Sequence, residues 1–167
     1  MINTPLKDNN YEEYRNCLLC SKKFRTYKRM SRKYCNLTHS YIHRTVKSYL
    51  ITKKEILKLN KTTLSWLSGF WEGEGYLTLR NGYRNYNLSI SQNEKNVINY
   101  IKQIIPSGKV LTYKVKNTIM TCFTLHGIGA ALAFVEGIYP YIHTNKRKKT
   151  IEKFLKIVKH KGFKKYV

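Results

Sequence analysis

Acidic side chains are what this 167-residue chain has least of. Nine Asp and Glu face 32 Lys and Arg, for a formal net charge of +23. The excess is not a tail, because residues 1–63 carry 15 basic and 4 acidic side chains and the remainder 17 and 5. Both parts are built to meet a polyanion. Nucleic acid is the expected partner, and adhesion by charge alone to RNA or an anionic membrane is the less specific alternative. No apolar run approaches the length of a membrane span, and the first residues lack the apolar segment of a signal peptide. The expectation is therefore a soluble protein with no membrane partner. Only four cysteines occur, and nothing indicates secretion, which disfavours a disulfide framework. Alanine is scarce while Lys, Asn, Ile and Tyr dominate, the bias of an AT-rich genome. The expected location is intracellular, in a phage or bacterial cytoplasm or an organelle matrix.

Against that background one stretch stands out, Leu64 to Leu79, reading LSWLSGFWEGEGYLTL. On a helical period Ser65, Gly69 and Gly73 fall on one stripe with Ser68 and Glu72 beside it, while Leu64, Leu67, Phe70 and Trp71 lie on the other side. A Gly-x-x-x-Gly stripe lets two helix backbones touch, and the expected partner is a second copy of the same helix. Gly73 and Gly75 should end the helix, leaving Glu74 at the negative end of its dipole. A carboxylate there is explained by a divalent cation. Equally, Glu72 and Glu74 can be read as solvated residues of a helix-to-strand turn.

The run Leu67-Ser-Gly-Phe-Trp-Glu-Gly-Glu-Gly75, with Trp66 before it and the strand-like Tyr76 to Arg80 after it, resembles the LAGLIDADG motif. The resemblance extends over residues 63–158 through a strand ending in Ser91-Gln92, a helix, a hairpin, and a Pro-Tyr followed by a basic helix. It implies an α+β fold, an αββαββα core with a four-stranded antiparallel saddle sheet. The implied activity is that of a sequence-specific double-stranded DNA homing endonuclease using Mg²⁺. By the same resemblance Glu74 is the Mg²⁺ ligand, Gln92 positions water near it, and Glu72 is structural. Many relatives carry a lysine five residues after the proline. From Pro140 that position is Asn145, so either Lys146 substitutes by a one-residue shift or catalysis is weakened. The alternative is a catalytically inactive RNA-binding maturase, with intron RNA as partner, or a DNA-binding regulator on the same scaffold. No second copy of the motif occurs in the chain. A homodimer is therefore expected, with Ser65, Gly69, Glu72 and Gly73 at its interface.

Upstream, Cys17-x2-Cys20 is followed 14 residues later by Cys35-x3-His39, spacing suited to tetrahedral Zn²⁺. Cys35 and His39 would share one helix face, and His43 is the substitute fourth ligand. Reduced thiols beside a surface histidine are the alternative. With zinc, residues 17–44 form a small treble-clef-like zinc finger whose basic residues, interleaved with tyrosines, grip phosphate. Residues 1–16 are expected as a disordered tail, 45–62 as a basic helical connector, 63–160 as the endonuclease domain and 161–167 as a basic tail.

Within that domain, Tyr76 to Arg80 and Asn85 to Ser91 alternate around an Asn81-Gly82 turn. Tyr76, Thr78, Arg80, Asn87, Ser89 and Ser91 are expected outward, on a surface that can hydrogen-bond to base edges. Helical spacing covers residues 94–105 and stops at Pro106 and Gly108. In a second hairpin around Asn117, Leu111, Tyr113, Phe123 and Leu125 are expected in the core, with Thr112, Lys114 and Lys116 on the DNA side. Further helices are expected over residues 128–137 and 146–159.

Overall fold

The computed structural model describes residues 12–78 and 86–160, the side chain of His160 excepted. The expectations for residues 1–11, for Arg80 with the Asn81-Gly82 turn, and for residues 161–167 lie outside them. The chain divides into two compact units, Met1–Arg44 and Thr45–Val167. No helix among the described residues is long and apolar enough to cross a membrane.

In the first unit, strand β1 (Glu12–Asn16) pairs antiparallel with β2 (Lys23–Tyr27), Glu12 opposite Tyr27 and Asn16 opposite Lys23. Residues 12–16 are thus a strand and not part of a disordered tail. The reason is non-local: the polar run EEYRN gains its ladder from β2, and the turn between them is closed by its own hydrogen bonds. Cys17 N–H donates to Lys22 O at 2.9 Å and Ser21 N–H to Cys17 O at 2.9 Å, with Ser21 in the left-handed region at φ 58°. Helix α1 (Leu37–Ile56) begins in this unit. It is capped by Asn36, whose Oδ1 accepts the His39 N–H at 2.7 Å.

The second unit contains the rest of α1, so the stretch read as a connector packs within it. Tyr49 Oη and Lys53 Nζ both donate to Glu136 at 2.8 and 3.0 Å. Burial and that carboxylate push the Tyr49 hydroxyl up to about 12. Then follow α2 (Lys61–Glu74), β3 (Gly75–Leu77), β4 (Asn87–Gln92), α3 (Lys95–Ile104), β5 (Lys109–Val115), β6 (Thr118–His126) and α4 (Ile128–Ile138). From α2 onwards this is the expected αββαββα order. A short 3-10 turn at Tyr139–Tyr141 leads to α5 (Asn145–His160). The strands form one antiparallel sheet in the order β3-β4-β6-β5.

Alternation decides which face is covered. Leu77, Leu88, Ile90, Phe123 and Leu125 point to one side and are buried. They meet Leu67 and Trp71 of α2, Ile98 and Ile101 of α3, and Phe134 and Val135 of α4 in a single core. Helix α2 starts at Asn60, whose side chain accepts the Thr63 N–H, and gives its inner face to Leu67, Ser68 and Trp71. Ser68 therefore faces inward, its hydroxyl donating to Ile138 O at 3.4 Å.

The second hairpin corrects the sequence reading. Leu111 and Tyr113 are exposed, at 50% and 44%, and pair with Cys122 and Met120, whereas Thr112 and Lys114 pair with Thr121 and Ile119. Directly paired residues share a face, so Leu111 and Tyr113 lie on the uncovered side and Thr112 and Lys114 on the side of Phe123. A three-residue loop centred on Asn117 would have produced the expected parity. The actual loop is two residues, Lys116 and Asn117, between the paired Val115 and Thr118, with Lys116 at φ 52°. That one-residue difference exchanges the faces of β5.

The glycines of α2 and its exit differ sharply. A Cβ at Gly75 would run into the carbonyl and ring of Trp71, although its φ of −85° suits any residue, while one at Gly69 or Gly73 would meet nothing within 4 Å. Gly75→Ala should therefore lose about 1–3 kcal/mol in urea unfolding, the range of core overpacking. Gly69→Ala, in dilute protein, should be neutral or gain up to about 1 kcal/mol from helix propensity.

Candidate metal centre and nucleic-acid interface

In the first unit the β1–β2 turn carries Cys17 and Cys20, and the entry to α1 carries Cys35 and His39. One donor atom from each lies within 4.8 Å of all the others. Sulfur to sulfur, Cys20–Cys35 is 3.8 Å; Cys17 and Cys35 stand 3.5 and 3.2 Å from His39 Nδ1. Tetrahedral zinc, with bonds of about 2.3 Å to sulfur and about 2.0–2.1 Å to nitrogen, requires edges of about 3.8 Å and about 3.6 Å. The donor set fits. Cys35 precedes the first helical residue, Leu37, so the pair spans a helix entry instead of sharing a helix face. His43 is engaged elsewhere, its Nδ1 at 2.9 Å from Tyr34 Oη, and takes no part in the cluster.

Electrostatics point the same way. Burial opposes ionisation of Cys17, yet the backbone groups of Cys35, Leu19 and Cys20 and the His39 ring hold its thiol well below the ordinary value. Burial and the neighbouring sulfurs of Cys17 and Cys20 push Cys35 up. Adjacent thiols cannot all ionise without a cation between them, which is what a metal provides.

In the second unit the motif residues lie at the ends of α2 and β4 and at the start of α5. Glu74 is the last residue of α2 and is exposed. Gln92 ends β4; because Gly75 pairs with Ile90, it lies beside the α2–β3 junction, its Oε1 accepting the Asn93 N–H at 2.9 Å. Lys146 is exposed in the first turn of α5. Glu72 makes the junction between them. Its carboxylate accepts the His143 N–H at 3.1 Å and the Thr144 N–H at 2.6 Å, and its carbonyl accepts Arg147 Nε at 2.9 Å. Glu72 is thus engaged within its own chain. Partial burial works against the charged form, but the bonds from Thr144 and His143 hold its carboxyl below the usual range. Arg147, which also lies over the Trp71 ring at 5.1 Å, is the residue that sequence reasoning missed. It sits in an unbroken basic run, and only the fold shows its partner.

The uncovered sheet face carries Tyr76, Asn87, Ser89 and Ser91 from β3 and β4, with Leu111 and Tyr113 from β5. Thr78 follows β3 and donates its N–H to Asn87 O at 2.8 Å. Tyr113 Oη donates to Ser91 Oγ at 3.2 Å across β6, which fixes Tyr113 on this side. Of the expected contact residues, Thr112 and Lys114 are on the opposite face and Lys116 is in the turn. Along the α2 surface Ser65, Gly69 and Gly73 are exposed together.

No protein-family model matches the chain, and no curated protein matches it. Among solved structures it is similar to the homing endonuclease I-CvuI in complex with the I-CreI target (C1221) in the presence of 2 mM Mg, with the DNA not cleaved. That similarity has 22% identity and a TM-score of 0.40 over 50% of this chain and 58% of the other. The same enzyme bound to its target (Sro1.3) in 2 mM Ca gives 22% identity and a TM-score of 0.38, over 54% and 59%. The matched region thus spans less than two thirds of those chains.

Two predictions follow from these geometries. Protein purified without chelators should carry about one zinc per chain by elemental analysis, and chelation should unfold the first unit, since binding and folding are coupled. His39→Ala should lose the metal and His43→Ala should keep it. For Glu72, a folded-state pKa below the unfolded one means stability present at neutral pH and lost as pH falls through the lowered value. The unfolding difference between wild type and Glu72→Gln should accordingly be largest near neutral pH and shrink on acidification.

Proposed function

We propose that the chain is a sequence-specific double-stranded DNA endonuclease of the LAGLIDADG homing type, acting as a Mg²⁺-dependent homodimer with an N-terminal treble-clef-like zinc module. One observation carries the reading. A helix whose Gly69 and Gly73 face open space ends in the exposed Glu74 and passes directly into an antiparallel sheet with one uncovered face. The LAGLIDADG resemblance assigns those three parts to subunit contact, metal binding and DNA contact.

Among the described residues, the group of three or more close metal donors is the Cys₃His cluster, and Glu74 belongs to no such group within one chain. That fits Mg²⁺, which takes one or two carboxylates and completes its shell with phosphate oxygens and water. When bound, Mg²⁺ supplies charge neutralisation at the attacked phosphate and an acidified water. Glu74 holds it, Gln92 orients water beside it, and Lys146 offsets charge on the phosphate. A two-fold contact through Ser65, Gly69 and Gly73 brings each Glu74 near its mate. Basic side chains of both units contribute the salt-dependent grip on the backbone.

A second reading rests on Asn145, which occupies the position of the family's lysine. It makes the chain a binding protein, an RNA-binding maturase or a DNA-binding regulator. A randomised duplex library incubated with Mg²⁺ separates the two. Cleavage that is lost in Glu74→Gln supports the nuclease; binding of intron RNA or duplex DNA without cleavage supports the second reading. In the same assay Gly69→Leu should sediment as a monomer and lose double-strand cleavage, because a bulky side chain prevents close helix contact. A fully active Gly69→Leu dimer would overturn the two-fold contact.

A further inference from the structure

The uncovered sheet face is chemically divided. Its β3–β4 half presents Tyr76, Asn87, Ser89 and Ser91, which can donate or accept hydrogen bonds. Its β5 half presents Leu111, Tyr113 and Val115 instead, 50%, 44% and 46% exposed. These three share the face because they pair with Cys122, Met120 and Thr118, and Cys122 in turn pairs with Ser91. Lys109 and Lys116 bracket the apolar run at its two ends, both exposed. The apolar run is exposed, and the lysines that flank it in a chain of charge +23 favour a polyanion as its partner.

Spacing and chemistry specify what that polyanion offers. Alternate strand residues are about 6.8 Å apart, which matches two base steps at about 3.4 Å per step. The apolar group on base edges in the major groove is the C5-methyl of thymine. We propose that β5 is a thymine-reading strand: Leu111 and Val115, on either side of the Tyr113 ring, contact C5-methyl groups of bases spaced four steps apart. The hydrogen bond from Tyr113 Oη to Ser91 holds that ring across β6 and joins the two halves of the face. This inference rests on the reading of the sheet as a DNA-contacting surface.

The test selects duplexes bound by the full chain from a randomised library in Mg²⁺-free buffer, then remakes the selected duplex with deoxyuridine replacing thymidine. Selected sites should show thymines at four-step spacing, and each removed methyl should weaken binding about four-fold, the worth of one buried methyl group. The double variant Leu111→Asn/Val115→Asn, at exposed positions that leave the core intact, should bind the thymine and uracil duplexes equally. Leu111→Ala and Val115→Ala, with unfolding midpoints measured alongside, guard against a folding defect. Equal wild-type affinity for the two duplexes, or discrimination that persists undiminished in the double variant, overturns the inference. Failure to bind any duplex overturns instead the DNA reading beneath it.

Discussion

The second unit depends on one reciprocal contact, between the last turn of α2 and the first turn of α5. Helix α5 opens on Asn145-Lys-Arg-Lys, with no acid in its first turn. Its unsatisfied N–H groups and the positive end of its dipole face four residues that include three cations, an arrangement that frays an isolated helix. Glu72 supplies the missing anion from 71 and 72 positions away, its carboxylate taking the N–H groups of His143 and Thr144. In return Arg147 donates to the Glu72 carbonyl, one of the unsatisfied acceptors at the negative end of α2. Each helix end thus receives the charge that its dipole favours. Glu74 and Lys146, just beyond the locked pair, remain exposed.

Much of this fold was legible from periodicity. The spacing of Val97, Ile98 and Ile101 before Pro106 marks α3, and the apolar density of residues 128–138 marks α4, because burial on one face imposes a repeat that a single sequence records. What failed was pairing information. The run KVLTYKV carries apolar residues at both parities, Val110 on one side and Leu111, Tyr113 and Val115 on the other, so alternation cannot say which set is covered. The two-residue turn decides, and its length is a property of the partner strand. Residues 12–16 were misread for the same reason, since a polar strand takes its stability from its neighbour.

The candidate sites divide along the same line. The cluster of Cys17, Cys20, Cys35 and His39 was legible because close metal donors are marked by residue type and local spacing. Choosing between His39 and His43 required Tyr34, which occupies the second ring. The role of Glu72 was less visible. In EGEG the two glutamates differ only by two residues, yet one is committed to α5 and the other is not, a distinction made wholly by the tertiary approach of Arg147 and Thr144.

The glycines of α2 carry the argument outside the single chain. Each mid-helix glycine costs about 1 kcal/mol relative to alanine, and neither Gly69 nor Gly73 has a neighbour that a methyl group would touch. Nothing among the described residues offsets that cost. A helix backbone approaching from a second copy would, because close contact requires the side chains to be absent. On the proposed two-fold arrangement, the same approach drives two Glu74 carboxylates together, and like charges at short range oppose it. A divalent cation removes the repulsion, so metal binding and subunit association must strengthen each other by the same factor. The glycine stripe and the exposed glutamate are then two parts of one equilibrium, which explains why six residues of one helix, Gly69 to Glu74, carry both.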